Sequence, residues 1–313
     1  MDFCVELPYS YMMDDAKLDE AASQGIANIS VPYELFESTP KEKLKERSDA
    51  LISRGIKADT AHPRFGIYNS NFSLVNQYAV QRGAYLEQLK DGFERMSILG
   101  VKYAPLHTGG ACLPTAPEWA LEMCAESVSA VLAEAMSCGI ILTMENTFFT
   151  LPHGWDGCVS AVGEGRPAQS TKIVYDDMGK LCRLIDGLAS PNVKGCYDVG
   201  HAHYLGDISA DYRMMGDRIA LYHLHDNNRS KDMHLPPGYG TLDWETFGGL
   251  INSCEVEFAV YIEANPWTLG KYGLMIRETR ALLSGGRMGE SRRCLKCGHS
   301  LLHDIHGEFC ACT

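Results

Sequence analysis

Short apolar runs alternate with longer amphipathic runs along most of the chain. The short runs predict eight strands, at residues 3–7, 28–31, 57–62, 102–107, 140–145, 194–199, 221–225 and 258–263. The longer runs repeat apolar residues at helical spacing and predict helices at 40–54, 74–99, 116–136, 180–188, 244–253 and 269–283. Repeated strand–helix alternation predicts parallel strands joined by right-handed crossovers, closed into a barrel.

The expected fold class is therefore α/β, a (β/α)8 TIM barrel. The chain has 313 residues, and such a barrel takes about 250 residues plus extras. An open, doubly wound sheet is the rival fold, but neither GxGxxG nor GxxxxGK[ST] occurs in the sequence. The periodic pattern stops in the segment GGRMGES at 285–291, which predicts a barrel at 1–286 and a short Cys-rich tail at 287–313.

Composition and charge narrow the class of partner. Hydrophobic residues make up 45% of the chain and charged residues 22%, which is ordinary globular usage. A formal net charge of -12 disfavours nucleic acid. The chain has no run of about 18 apolar residues, and its N-terminus does not resemble a signal peptide. Eight scattered cysteines indicate buried thiols in a reducing compartment, so we expect a soluble cytoplasmic protein that does not bind a membrane.

Six predicted strands end in a side chain that can bind a metal. A single His or Glu at such a position is usually a solvated loop residue, but the strand ends of a barrel converge on one mouth. Converging carboxylates repel one another unless a cation neutralises them. The oxygen-rich set favours Mn²⁺, Mg²⁺ or Co²⁺, with Zn²⁺ as the alternative. The six residues are His62, His107, Glu145, Asp198, His223 and Glu263.

Two segments sharpen this expectation. In YDVGHAH, Asp198 and His201 stand three residues apart, and Gly200 permits a tight turn that would aim both inward. In HLHDNN, His223 and His225 share one face of a strand, so one would ligate while the other lines or packs beside the pocket. Arg229, just beyond, is a candidate clamp for a substrate oxygen.

At these residues the chain resembles the xylose-isomerase-like barrel superfamily, and within it the sugar phosphate isomerase/epimerase family. The resemblance runs over residues 1–285, and the matching segments are TMEN, YDVGHAH, HLHDNN, DMHLPPGYGTLDW and YIEANP. It implies a metal-dependent isomerase or epimerase that enolises a sugar or keto-polyol. The metal ligands would be Glu145, Asp198, His223 and Glu263, with Glu145 and Glu263 also acting as acid and base. The implied substrate contacts are His62, His107, His201, Arg229 and His234.

Three alternatives stay open. An inosose dehydratase-like or other keto-sugar lyase would use the same enolisation chemistry. The apurinic-site endonucleases of the superfamily bind three zinc ions, although the charge of this chain argues against a nuclease. The nine candidate ligands for those ions are His62, His107, Glu145, Asp198, His201, His223, Asp232, His234 and Glu263. A barrel without catalysis, serving as a binding protein or subunit, is the third alternative, and a homo-oligomer is open in every case.

The tail carries a separate metal-binding pattern. A CxxCGH segment is followed by CxC, and such clustered thiolates can hold one tetrahedral zinc ion. The alternative is a disordered tail with incidental thiols. The expected ligands of this structural zinc are Cys294, Cys297, Cys310 and Cys312.

Overall fold

A computed structural model describes residues 1–65, 71–107, 118–147, 149–150, 170–171, 178–230, 232–264, 272–285, 302–304 and 307–309. Within these residues eight strands close into one barrel, in the order β1-β10-β9-β8-β5-β4-β3-β2. The strands are Cys4–Glu6 (β1), Asn28–Val31 (β2), Lys57–Ala61 (β3), Tyr103–Leu106 (β4), Ile141–Glu145 (β5), Val193–Asp198 (β8), Ile219–Leu224 (β9) and Ala259–Ile262 (β10). The predicted α/β barrel is confirmed, and the pairs β1–β2, β1–β10, β9–β10, β3–β4, β4–β5 and β5–β8 are parallel.

Helices follow or connect these strands in the described part of the chain. They are Tyr9–Met12 (α1), Asp15–Ser23 (α2), Tyr33–Ser38 (α3), Lys41–Ile52 (α4), Ala79–Leu99 (α5), Glu118–Ser137 (α6), Met178–Leu188 (α7), Val199–Leu205 (α8), Ile208–Met215 (α9), Trp244–Asn252 (α10) and Tyr272–Leu283 (α11). Two small antiparallel sheets of two strands each pair Phe149–Thr150 (β6) with Ser170–Thr171 (β7), and Leu302–Asp304 (β11) with Gly307–Phe309 (β12).

The eight predicted strands and six predicted helices all exist, with ends shifted by a few residues. The short helices α1, α2, α3, α8 and α9 are not evident in the sequence pattern, because one to three turns carry too few apolar positions to show a period. Helix α8 begins directly after β8, where the side chain of Asp198 caps it by accepting the backbone N–H of His201 at 2.6 Å.

The chain divides into two compact units. The first unit comprises Met1–Val31, Asp49–Asp59 and Tyr197–Thr313. Its strands pair as β2-β1-β10-β9, with Cys4 opposite both Asn28 and Tyr261. Helices α10 and α11 pack closely in this unit, since a Cβ atom at Gly248 would lie 2.9 Å from the carbonyl oxygen of Leu283.

The second unit comprises Pro32–Ser48 and Thr60–Cys196. Its strands pair as β3-β4-β5-β8, with Glu145 opposite Cys196 at the last position of the β5–β8 register. Helix α5 buries Phe93 and Met96 completely, and Phe36 of α3 is buried in the same unit. Burial of such side chains is the main term that stabilises the unit.

Several sequence predictions concern regions that are only partly described. Cys4, Cys124, Cys182 and Cys196 are buried free thiols, as expected, whereas Cys138 and Cys254 are only half-buried, and Cys112 and Cys158 lie outside the described residues. The boundary at residue 286 and the four tail cysteines lie outside the described residues, so the domain limits and the structural zinc stay predictions. No helix in the described ranges is long and apolar enough to cross a membrane.

Candidate metal and substrate site

The strand-end residues named from sequence lie where the pattern placed them. Glu145 and Asp198 are the last residues of β5 and β8, and both are buried. His223, also buried, precedes the last residue of β9, while His62, His107 and Glu263 directly follow β3, β4 and β10. Carboxylates and imidazoles therefore end or follow six strands whose interior positions are mainly apolar.

In the second unit, His62, His107 and Glu145 form one cluster. The Nε2 atom of His107 lies 3.0 Å from Oε2 of Glu145, and Nε2 of His62 lies 3.6 Å from the same oxygen. The two Nε2 atoms are 3.1 Å apart. Two imidazole nitrogens and a carboxylate oxygen that converge in this way need a shared proton or a cation between them. The ring of Phe65 covers this cluster, with its centroid 3.9 Å from that of His107.

In the first unit, Asp198, His223 and Glu263 form a second group. Nδ1 of His223 lies 2.8 Å from Oε2 of Glu263 and 3.8 Å from Oδ2 of Asp198. The edge of the Tyr261 ring supports the His223 imidazole at 5.1 Å between centroids. The Glu263 side chain is 24% exposed, whereas Asp198 and His223 are fully buried. Glu263 is thus the member of this group that solvent or substrate can reach.

His201, His225, Asp232 and His234 form a third cluster, also in the first unit. Nε2 of His234 lies 2.9 Å from Asp232, and His201 and His225 lie 3.5 and 3.6 Å from the same carboxylate. The rings of His225 and His234 stack at 4.1 Å. His225 also lies 3.0 Å from Oδ1 of Asp198, which links this cluster to the Asp198 group.

The third cluster shifts the protonation of its own members. Burial favours the neutral form of Asp232, but hydrogen bonds from His201 and His234 outweigh it and hold the pKa of Asp232 well below its usual range. Burial alone would lower the pKa of His234, yet the bond to Asp232 and the charge of Glu263 raise it to about 9. A pKa of about 9 favours the protonated form of His234 beside the Asp232 carboxylate at neutral pH.

The donor chemistry of these groups fits a divalent cation. Asp198 is surrounded by the imidazoles of His201, His223 and His225 and by one backbone N–H. Buried carboxylate oxygens combined with imidazole nitrogens are ligands for Mn²⁺, Co²⁺ or Zn²⁺. In each described cluster, one ligand atom per residue lies within 4.8 Å of the others.

The structure also places Arg229 and His225, two residues that the sequence patterns single out. Arg229 is exposed, has a φ of 65° and donates from Nη2 to the carbonyl oxygen of Gly206 at 3.2 Å, so its role as a substrate clamp stays a prediction. His225 is not among the nine candidate ligands, although the structure places it between Asp198 and Asp232. Its shared strand face with His223 is the sequence signal for this position.

The chain belongs to the xylose isomerase-like TIM barrel family, whose model matches residues 18–268. This match confirms the family resemblance and the barrel. A curated relative, protein y4fM of Sinorhizobium fredii (strain NBRC 101917 / NGR234), is 43% identical over 65 residues. That segment is 20% of this chain and 21% of y4fM, so the match spans about a fifth of the relative.

Solved structures share the fold at low identity. A D-tagatose 3-epimerase-like protein has a TM-score of 0.69 and 16% identity, over 91% of this chain and 99% of that chain. A D-psicose 3-epimerase, solved in the presence of D-fructose, has a TM-score of 0.66 and 14% identity, over 91% and 98%. The protein TTHB071 of Thermus thermophilus, from a ZnCl2 soak, has a TM-score of 0.61 and 20% identity, over 92% and 100%.

Proposed function

We propose that this protein is a divalent-metal-dependent isomerase or epimerase that acts on a sugar or keto-polyol. The observation that carries the proposal is the set of carboxylates and imidazoles at the carboxyl ends of the barrel strands, where barrel enzymes keep their active sites. The similarity of the fold to that of sugar epimerases supports the substrate class. The proposed metal ligands are Glu145, Asp198, His223 and Glu263.

The proposed chemistry assigns a role to each ligand carboxylate. A bound divalent ion would polarise the carbonyl and a hydroxyl oxygen of the substrate. One of Glu145 and Glu263 takes the proton from the carbon next to the carbonyl, and the other returns a proton to the opposite face. Glu263, which is 24% exposed, can meet the substrate directly. His201, Arg229 and His234 are the proposed substrate contacts of the first unit, and His62 and His107 those of the second.

Proton exchange in heavy water tests this chemistry, whatever the product of the reaction. The metal-free chain is reloaded with Mn²⁺, Co²⁺, Mg²⁺ or Zn²⁺ and incubated in D2O with a panel of ketoses and keto-polyols. Nuclear magnetic resonance then follows replacement of carbon-bound hydrogen by deuterium. We expect exchange next to the carbonyl of at least one substrate, and new signals from an olefinic or dehydrated product would identify a lyase.

Variants test whether this proton exchange depends on the proposed catalytic residues. Glu263→Gln and Glu145→Gln should lower the exchange rate by about three orders of magnitude, since general acid–base catalysis contributes about 10²–10⁴-fold. Glu245→Gln is the matched control, because Glu245 is an exposed carboxylate in the first turn of α10. Wild-type exchange in Glu263→Gln, or no exchange with any sugar of the panel, would rule the proposal out.

A three-zinc nuclease is the second candidate function. The cluster of His62, His107 and Glu145 and the cluster of His201, Asp232 and His234 favour it, because both contain its expected ligands. The net charge of -12 argues against binding to DNA. Mass-spectrometric metal analysis and a duplex oligonucleotide with one abasic site separate the candidates. Three zinc ions per chain together with strand cleavage would support the nuclease, whereas one metal without cleavage supports the sugar enzyme.

A barrel without catalysis is the remaining alternative. It predicts no proton exchange and no cleavage after metal loading, together with a stable complex in native mass spectrometry of protein from its own host. Homo-oligomerisation is measured in the same spectra.

A further inference from the structure

One fully buried carboxylate is not among the proposed metal ligands. Asp226 directly follows His225, and its side chain is sealed from solvent. Burial raises the pKa of Asp226, and the hydrogen bonds that it accepts, including one from the backbone N–H of Gly240, offset part of that rise. Each of its oxygens accepts two hydrogen bonds. The donors to Oδ1 are the backbone N–H groups of Asn227 at 2.8 Å and Leu242 at 3.1 Å, and those to Oδ2 are the N–H of Gly238 at 3.1 Å and Nε1 of Trp244 at 2.7 Å.

The backbone of Asp226 closes a loop. Its N–H donates to the carbonyl oxygen of Leu235 at 2.8 Å, and the N–H of Leu235 donates back at 2.9 Å. The described residues of this loop, 227–230 and 232–234, therefore lie between two paired ends, and Asp232 and His234 are among them. The carboxylate then fixes the next segment, 236–244, through its remaining donors. One residue therefore anchors both halves of the segment 226–244.

The packing around this anchor leaves little freedom. A Cβ atom at Gly240 would lie 2.3 Å from Oδ1 of Asp226 and 2.4 Å from the carbonyl oxygen of Asn227. Within the closed loop, Arg229 and His234 have φ angles of 65° and 46°, which are unfavourable for residues with a side chain. Such backbone persists only where the surroundings over-determine it. The backbone pair between Asp226 and Leu235 brackets both residues.

The anchored loop reaches the candidate site through His234. Nε2 of His234 pairs with Asp232 at 2.9 Å, while Nδ1 contacts the carbonyl oxygen of Glu263 at 2.9 Å. The neighbouring Asn227 donates from Nδ2 to the carbonyl oxygen of Gly200 at 2.8 Å, beside His201. A displacement of the loop would thus move His234 relative to Glu263 and His201.

We propose that Asp226 is a positioning residue, which holds residues 227–230 and 232–244 of this loop so that Asp232 and His234 face Glu263 and His201. Its expected effect on turnover rests on the proposed function, whereas its effect on the loop does not. In Asp226→Asn an NH2 group replaces one of the two carboxylate oxygens. That group cannot accept hydrogen bonds, so two of the four hydrogen bonds to the side chain are lost.

The experiment compares Asp226→Asn with Asp243→Asn by hydrogen–deuterium exchange and mass spectrometry. Asp243 lies in the same segment, but it is exposed and caps α10, a position in which Asn is an equivalent cap. We expect exchange of peptides from 227–244 to rise at least tenfold in Asp226→Asn, with peptides of β1 and β5 unchanged. Saturating Co²⁺ should protect this segment in the wild type and in Asp243→Asn, but not in Asp226→Asn.

Kinetics separates positioning from plain stability. With the best sugar of the panel, well below the melting temperature, kcat/KM of Asp226→Asn should fall at least tenfold while the barrel peptides keep their protection. Wild-type kcat and KM in that variant, unchanged exchange in 227–244, or an equal rise of exchange throughout the barrel would each overturn the proposal. If Asp226→Asn does not fold, Trp244→Phe removes one donor, and the same local rise is expected or the proposal fails. A wild type that exchanges no sugar refutes the proposed function alone, and the Co²⁺ protection still decides the role of Asp226.

Discussion

Replacement of Gly200 by alanine should push the imidazole of His225 out of place. Gly200 is in α8, and an added Cβ would lie 2.0 Å from Cε1, 2.3 Å from Nδ1 and 2.5 Å from Nε2 of that ring. An ordinary contact begins at 3.4 Å, so the nearest ring atom would have to retreat by about 1.4 Å. His225 cannot retreat freely, because it is fully buried, bonded to Asp198 and stacked on His234.

The expected cost follows from two opposing terms. Alanine gains at most about 0.5–1 kcal/mol over glycine in a helix, and Gly200 lies in the first turn of α8. Overpacking of a buried site costs about 1–3 kcal/mol, and the lost bond between His225 and Asp198 adds to it. We therefore expect Gly200→Ala to lower the free energy of unfolding by about 1–3 kcal/mol, which is a fall in melting temperature on the order of 5 °C for a chain of this size.

Gly249→Ala provides the matched control. Gly249 is in α10, it is exposed, and an added Cβ would meet nothing within 4 Å. That variant should be as stable as the wild type or slightly more stable. Chemical unfolding of both metal-free variants measures the difference, and mass-spectrometric metal analysis after reloading should show weakened retention in Gly200→Ala alone. Equal stability of the two variants would refute the inference that the His225 ring fills the space beside Gly200.

Three further predictions rest on burial, hydrogen bonding and charge. Phe93→Ala should cost about 3–5 kcal/mol of unfolding free energy because the ring is fully buried, whereas Val80→Ala, at an 87% exposed position of the same helix, should cost less than about 0.5 kcal/mol. Tyr222→Phe should cost about 1 kcal/mol in chemical unfolding through the loss of its bond to the Tyr212 hydroxyl, and a variant as stable as the wild type would contradict that bond. Burial, aided by the charge of Arg229, lowers the pKa of His203 to about 4. As the pH falls, His203 is therefore protonated at a higher pH in the unfolded chain than in the folded protein. The free energy of unfolding of the metal-free protein should therefore fall by up to about 3 kcal/mol as the pH falls from about 6.5 to 4. In His203→Gln the free energy of unfolding should depend less steeply on pH over this range.

The barrel could be predicted from sequence because each strand carries its own signal. Runs such as Ile141–Glu145 combine an apolar interior with a charged last residue, and both features are local to the chain. The short helices were missed for the opposite reason, since α8 begins where Asp198 caps it and has too few turns to show a period. The candidate metal ligands followed from strand ends and the family resemblance, and they stay predictions.

The sequence by itself determined the strand–helix alternation, the parallel barrel and the residue types at its strand ends, because hydrophobic periodicity and strand polarity are written along the chain. Only the tertiary structure decided which side chains meet. It placed His225 between Asp198 and Asp232, although 27 residues separate His225 from Asp198. It also gave Asp226 hydrogen-bond donors as far along the chain as Trp244. No local sequence pattern predicts that a carboxylate will accept hydrogen bonds from residues so far along the chain. Such contacts depend on loop closure and buried hydrogen bonding, which exist only after the chain has folded.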